Sequence, residues 1–494
     1  MKRTILGITL ILLSTIATLA QDITTKIGIE SNEISIGQML TSKIIDAKNN
    51  QILFITNKKK QQSPNSEYKY SDYMLINADT NLCIKSSLVL KNTKNCELLA
   101  ENATNNSIRL LLRERQRNED IVKRIDLDRE SLTIQNETPI YTIKHSRKET
   151  LYIWCKSSPN TDYTSITYII DNPNKDKWDC HSIMLNKGMD IMWNLQPSSY
   201  AINDIFVTDD ATLYLVGNHY SIEKGTTDFY YERLSEKTHN VISRTHNNIL
   251  IDSYILNVID SNIIITGNTY YQDSPKNEIQ FGGLYGMSFD FNTKNALFEM
   301  HEYNHEELCV LYNEDITKSK IPEFIDNIQI YHLQPTPNGG IMTAQRQITE
   351  FDVDMNDKTK TVYTNMGLIA MKIDQDGHIN WTRAFRHKQE QINGTHYLHH
   401  CLFTNGDMTY ILQSENSQSP QTYNNNEAIK TLSPTIKKAN TAMYSIDIDG
   451  NVTKQILTTN EKSAIYGSGN KWYNDHCYYF IGKGKKCNII DITR

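Results

Sequence analysis

The sequence predicts an all-β fold, and three observations carry that expectation. Short runs rich in Ile, Leu, Val, Tyr and Thr alternate with clusters of Asn, Asp, Gly and Ser, as in "TLYLVGNHY" (212–220), "NIIITGNTY" (262–270), "GLIAMKID" (367–374) and "MTYILQS" (408–414). This is the pattern of strands separated by turns. Helical periodicity is rare, with "HEELCVLYN" (305–313) one of the few stretches able to make a helical turn or two. Finally, a unit recurs: "YHLQPTPNGGIMTAQRQ" leads through a polar stretch to "GLIAMKIDQDGHINWTRAF", and "HHCLFTNGDMTYILQSE" leads likewise to "AMYSIDIDGNVTKQIL".

Each copy reads as strand, tight turn, strand, long connection, strand, Asp-x-Asp-Gly turn, strand. The turns "TPNGG", "TNGD", "DQDG" and "DIDG" supply residues that tolerate positive φ, as tight hairpins require. Weaker copies precede these. One runs from "INDIFVTDDATLYLVGN" to "DFYYERLSEKTHNVIS", another from "YILNVIDSNIIITGN" to "GGLYGMSFDFNTKNALFEM". Four-stranded antiparallel units repeated every roughly 45 to 75 residues are the blades of a β-propeller. Second strands expected to begin near residues 51, 107, 150, 211, 262, 339, 408 and 476 set the number of blades at seven or eight. The last unit, "DHCYYFIGKGKKCNIIDI", is one strand short, while "DITTKIGIES" near the N-terminus is spare strand-like sequence. An N-terminal strand that closes the ring removes the open sheet edge.

The chain begins "MKRTILGITLILLSTIATLAQ": Lys2 and Arg3, an apolar run from Ile5 to Leu19, then Ala20. That order is a secretory signal peptide over residues 1–20, with Gln21 the first mature residue and 21–494 a single β-propeller domain. The run is short for a spanning helix, and no second apolar stretch approaches membrane length. The expected location is the periplasm or the medium. A formal net charge of −6, with acidic and basic residues mixed, makes no electrostatic case for nucleic acid. Eight cysteines permit disulfides in an exported protein, and none forms a C-x-x-C pair. Cys477 and Cys487 flank the turn "IGKGKK", and Cys83 and Cys96 bracket a short strand pair, so both couples are candidate disulfides.

The stretches "PTPNGGIMTAQRQ" and "AMKIDQDGHINWTRAFRH" resemble the blade motifs of exported, largely uncharacterised β-propeller proteins of Bacteroidetes-type bacteria. "LYGMSFDFNTKNALFEMHEYNHEELCVLYN" is similar to a segment of that group in which a blade's last strand leads into a short helix. The resemblance is clearest from about 260 to 390. It implies fold and export, not chemistry.

Within that segment "HEYNHEEL" (301–308) contains His-Glu-x-x-His. On a helix this string sets two imidazoles on one face as zinc ligands, with the glutamate as general base. Here Asn304 interrupts it, Glu306 and Glu307 follow at once, and the upstream "TKNALFEM" falls in the register of a fourth strand. No third ligand is well placed, since Glu323 follows Pro322 outside any helical pattern. "HYLHHC" (396–401) gathers His396, His399, His400 and Cys401, but neighbours on a strand point to opposite faces, and His400 opens an expected core strand. "DVDMND" (352–357) lacks the glycine and the bidentate glutamate of a calcium loop. Trp154, Trp193, Trp381 and Trp472 read as fillers of blade cores. No nucleophile elbow, Walker loop or dinucleotide fingerprint occurs.

The expectation is therefore a monomeric binding or scaffold protein for an unknown protein or glycan ligand, without catalytic activity of its own and without cofactor, metal or nucleic-acid partner; which residues would be catalytic is unknown from the sequence. The alternative is an envelope hydrolase, either glycan-cleaving or a zinc metalloprotease using His301, Glu302 and His305. The long polar segments 57–71, 270–281, 346–365 and 414–440 all fall between second and third strands, and so are expected on one face around the central channel.

Overall fold

The apolar runs pair in chain order into eight antiparallel sheets. A computed structural model describes residues 23–28, 42–57, 71–172, 178–198, 201–221, 226–247, 250–273, 278–318, 327–353, 359–392, 400–432, 439–461, 463–466, 472–473, 475–483 and 486–494. The segment 1–20, read as a signal peptide, lies outside them. Seven sheets take consecutive strands, a to d, over 43–89, 96–144, 150–195, 204–247, 250–301, 328–392 and 400–461. The eighth combines Ser463–Tyr466, His476–Lys483 and Lys486–Thr493 with the N-terminal strand Thr24–Ile27, which sets Thr24 opposite Thr493 and Ile27 opposite Ile490. The fold is an eight-bladed β-propeller closed by its N-terminal strand, as the sequence predicts.

Seven of the eight second strands begin within two residues of their expected positions. Blade 3 is the exception: Thr150 opens its first strand (Thr150–Ser157), and its second is Thr164–Asp171. In blade 5 strand a is split into Leu250–Ile251 and Tyr254–Ile259, both paired with strand b. At this break the Asp252 carbonyl oxygen comes so close to Gly267 that an added Cβ would lie 1.8 Å from it, so the inner strand passes only over a glycine.

Eight apolar clusters hold the ring, and each joins two adjacent sheets. Ile52 and Phe54 of blade 1 pack against Phe480 and Ile489 of blade 8, so the last interface closes on the first. Tyr473 adds a hydroxyl bond of 3.0 Å to the Ile44 carbonyl across that seam. Because both faces of the middle strands are covered, they read as continuous apolar runs rather than as alternation. Leu110, Leu111 and Leu112 are all fully buried, as are Ile263, Ile264 and Ile265.

The inner strands a stand side by side from blade 1 to blade 7. All connections from b to c and from d to the next a therefore emerge on one face of the ring, hereafter the loop face. The a–b and c–d turns emerge on the other, the turn face. Asp-x-Asp-Gly sequences build c–d turns there: Asp374 Oδ1 accepts from the amides of Asp376 and His378, each at 2.9 Å. No helix of the described residues is long and apolar enough to cross a membrane.

The expected disulfides do not form. Cys477 faces Ile492 and Cys487 faces Gly482, at opposite ends of the same hairpin. Cys83 is exposed, Cys96 is buried, and both are free thiols. A disulfide needs its two residues in facing rows, which neither a shared hairpin nor a short intervening strand provides.

Removal of residues 23–28 leaves strand c of blade 8 as a bare edge. We expect a loss of about 2–4 kcal/mol of stability, the scale of a few net backbone hydrogen bonds, with self-association through the exposed edge. Urea unfolding and size-exclusion chromatography measure both. Unchanged stability with an unchanged elution volume would contradict closure by this strand.

Candidate binding face

The helix α1 (His305–Tyr312) follows strand d of blade 5 (Ala296–His301) on the loop face. Its start explains "HEYNHEEL". Asn304 is the N-cap: its side chain accepts from the Glu307 amide at 3.0 Å, and Glu307 accepts from the Asn304 amide at 3.0 Å. This capping box satisfies two otherwise orphaned donors. His301 therefore sits at a strand end, Glu302 in the connection, and only His305 on the helix. His301 Nε2 lies 3.0 and 2.9 Å from the two Glu307 oxygens, and the Thr382 hydroxyl donates to Glu307 Oε1 at 2.9 Å. His305 Nε2 instead meets the Ile316 carbonyl at 3.0 Å. The two imidazoles thus do not share the helical face that the zinc arrangement requires.

The packing of α1 depends on Gly367, whose φ is +60° and whose added Cβ would lie 2.6 Å from Leu311 Cα. Val310 and Leu311 enter the core between blades 5 and 6. The helix C-terminus meets the guanidinium of Arg386, in strand d of blade 6 (Ile379–Ile392). Arg386 is 4 % exposed and donates to the carbonyls of Cys309 (2.9 Å), Glu314 (2.7 Å) and Asn425 (2.5 Å). Burial lowers its pKa, but the ring of carbonyls and the negative helix end give the cation its partners.

Asn425 belongs to the b–c connection of blade 7, which folds back over blade 6. Its amide nitrogen donates to Glu306 Oε1 and to the Ala384 carbonyl, both at 2.9 Å. Asn313 and Ile429 exchange two bonds of 2.9 Å, and Ile316 donates to the Asn426 carbonyl at 2.9 Å. Leu432 and strand d of blade 6 are joined through Lys388 and Glu390. The described part of this connection, 417–432, is stitched to two other blades rather than hanging from one.

Beneath it lies a polar interface between blades 6 and 7. Lys454 and Glu415 form a 2.7 Å ion pair at 3 % and 2 % side-chain exposure, and Tyr444 donates its hydroxyl to the same carboxylate. Gln413 Nε2 donates to Glu415 Oε1 (2.8 Å) and to the Arg386 carbonyl (2.9 Å). That fixes the amide, so Gln413 Oε1 accepts from His387 Nδ1 at 3.1 Å, and His387 is the neutral Nδ1–H tautomer. Burial pushes the His387 pKa down to about 4 despite the bond to Gln413.

The segments expected on one face do connect b to c in their blades. Residues 58–70, 274–277, 354–358 and 433–438 lie outside the described part. In blades 5 and 6 the connections continue the sheet as tall hairpins, Asn262–Asp273 with Glu278–Asp290 and Gly339–Val353 with Thr359–Asp374. Phe351, opposite Thr361 near the tip of the second, is 73 % exposed. In blade 3, Tyr152 and Trp178 are 45 % and 42 % exposed on the same face, with ring planes within 12° of parallel and centroids 6.5 Å apart. The sequence reading did not single out Trp178. Trp193 and Trp381 are buried as expected, and Trp154 and Trp472 pack against cores.

On the turn face, clefts of about 440, 410 and 610 Å³ open between turns of neighbouring blades, lined by groups such as Asp209 and Asp260, Lys48 and Arg129, and Asp290 and Asp376. Of "HYLHHC" only His400 and Cys401 are described; both are fully buried, with His400 Nε2 2.9 Å from the Thr343 hydroxyl. Among the described residues no three His, Cys, Asp or Glu side chains are placed to share a metal ion.

No protein-family model and no curated sequence matches the chain. Solved structures similar to it include polysaccharide lyase Uly1, at 11% identity over 95% of this chain and 99% of that one, with a TM-score of 0.38. Others are the β-propeller domain of the Trilobed protease from Pyrococcus furiosus (8% identity, 72% and 95% covered, TM-score 0.28) and the Dos1 propeller (12%, 76% and 88%, TM-score 0.30). Likeness at this level carries no argument, and the fold rests on the chain's own sheet order.

The buried His387 makes stability depend on pH. In the unfolded chain it takes up a proton near the ordinary 6.5, in the folded protein only near 4. Its contribution is present above pH 6.5 and lost as pH falls toward 4, on the order of 3 kcal/mol in all. His332, whose pKa burial also lowers, acts in the same direction. Urea unfolding between pH 7 and 4 is expected to show a shallower slope for His387→Leu than for the native chain. Identical slopes would contradict the assignment of a buried neutral imidazole.

Proposed function

We propose that this propeller is an exported, monomeric recognition protein that engages a protein or glycan ligand on its loop face. Its likeness to exported propellers of Bacteroidetes-type bacteria, and the signal-like residues 1–20, support the export. The observation that carries the reading is the asymmetry between the faces. The loop face holds the tall hairpins of blades 5 and 6, the stitched connection of blade 7, and the exposed rings of Phe351, Tyr152 and Trp178. The turn face holds mostly short turns whose carboxylates are spent on backbone amides, as at Asp374 and Asp447. A rigid scaffold with its elaborated connections on one side is the usual arrangement for recognition.

A glycan-cleaving activity has one acid to recommend it. Burial holds the Asp204 carboxyl above the usual range, opposed by Lys156 at 3.7 Å. Yet Asp204 is 5 % exposed, and its two oxygens accept from the Ile205 and Ile255 amides at 2.9 and 3.1 Å. A carboxyl so tied braces blades 4 and 5 better than it delivers a proton. Binding remains the primary reading.

Site-specific photocrosslinking in the producing cells tests it. A benzoylphenylalanine at Phe351 is expected to capture an envelope or surface component, and one at Ile448, 52 % exposed on a c–d turn, is not. Fractionation of the same cells, with N-terminal sequencing, is expected to place the protein in the periplasm or medium with Gln21 as its first residue. Capture from Ile448 alone, or retention in the cytoplasm, would overturn the reading.

A further inference from the structure

Tyr152 lies on strand a of blade 3, beside the central channel, and Trp178 immediately precedes strand c (Asp179–Leu185). Between them runs strand b, where Ile169 faces Tyr152 and Ile170 faces Asp179. By the alternation of the pleat, Tyr152 and Ile169 project from one side of the sheet together with Cys180, the partner of Ile169. Trp178 falls on that side as well. Two large rings thus stand over the end of strand b in near-parallel planes, each almost half open to water.

The core does not need them there. Ile169 and Cys180, just below, already belong to the cluster between blades 3 and 4, whereas the two rings extend past it. Tyr152 is held by its strand, and Trp178 is anchored by the strand that begins at the next residue, Asp179. One carboxylate stands on the same side as the pair: Asp171, two residues on from Ile169 and the cross-strand partner of Thr150, whereas Asp179 alternates to the opposite side with His181.

We infer that Tyr152 and Trp178 form a subsite for a neutral glycan, a deeper version of the loop-face reading and dependent on it. The faces of aromatic rings are electron-rich, so they attract the polarised C–H groups of a pyranose laid flat on them. The Asp171 carboxylate at the edge accepts hydrogen bonds from sugar hydroxyls. The same carboxylate, with a net charge of −6, disfavours uronate chains and also nucleotides, whose bases stack on such rings but whose phosphates are anionic.

The test is titration of the mature protein, by calorimetry, with cellohexaose, chitohexaose and mannohexaose, and with a single-stranded RNA hexamer. At least one hexasaccharide is expected to bind. Tyr152→Ala and Trp178→Ala are each expected to weaken that binding about tenfold or more, the scale of one lost stacking contact. Trp178→Phe is expected to retain most of it, and Ile448→Ala all of it. Both rings are half exposed, so the alanine variants are expected to melt as the native chain does, which separates lost binding from lost folding. Overturning results are a native chain that binds none of the three sugars, binding indifferent to both alanine variants, or binding of the RNA alone. Capture from Phe351 persists in each of those cases if the loop-face reading stands, so the two failures are distinguishable.

Discussion

Every sheet in this molecule is stable only between two others. Blade-to-blade packing across eight seams buries both faces of the middle strands, and the rest of the structure depends on it. A two-faced apolar sheet left at the end of a row would expose one whole face to water. Fully burying one Ile, Leu or Phe side chain is worth about 1.5–3 kcal/mol, so an open seam such as that around Phe54 and Phe480 forfeits several such terms at once. Closure into a ring is the solution, and lending the N-terminal strand to the last sheet ties the two chain ends together. It also orders the molecule: with all inner strands running one way, every b–c and d–a connection must appear on the same face.

That constraint makes a functional surface possible on the loop face. The connection after blade 5 forms a capped helix, and Arg386 of blade 6 holds the helix end. The long connection of blade 7 is bonded over both. Each contact alone is ordinary. Together they convert what the chain order presents as an insertion into a fixed part of the ring, supported below by the buried Lys454–Glu415 pair. Such a pair contributes little net stability but costs several kcal/mol if one partner is lost, which favours a single arrangement of the blades around it.

Most of the fold was legible because two-faced burial and tight turns leave strong local marks. Runs such as Ile263–Ile265 and the Asp-x-Asp-Gly turns locate strands without any knowledge of partners. Strand rank within a blade leaves a weaker mark. The long outer strand Ile134–Lys144 of blade 2 reads like the opening of a new unit, which displaced blade 3 by one strand. The string at His301 was a matter of helix start: Asn304 and Glu307 form a capping box, readable as Asn-x-x-Glu, and that box breaks the metal motif. The disulfide expectations failed because row-by-row register is set by pairing and cannot be counted from a turn. Nothing in composition separates Trp178 from the buried tryptophans. Its exposure follows from a position just outside strand c, which only the assembled sheet defines.

The central claim is that the loop face is a built surface of the ring rather than a fringe of tolerated insertions. Native-state hydrogen exchange read by mass spectrometry tests it most directly, because bonded amides within a cooperative unit open only with that unit. The amides of Ile316, Ile429 and Leu432, all bonded across blades, are expected to exchange on the timescale of the blade strands beneath them. The helix His305–Tyr312 is expected to do the same. Exchange of residues 425–432 and 305–313 at the rate of a free surface loop, while the strands stay protected, would contradict the account.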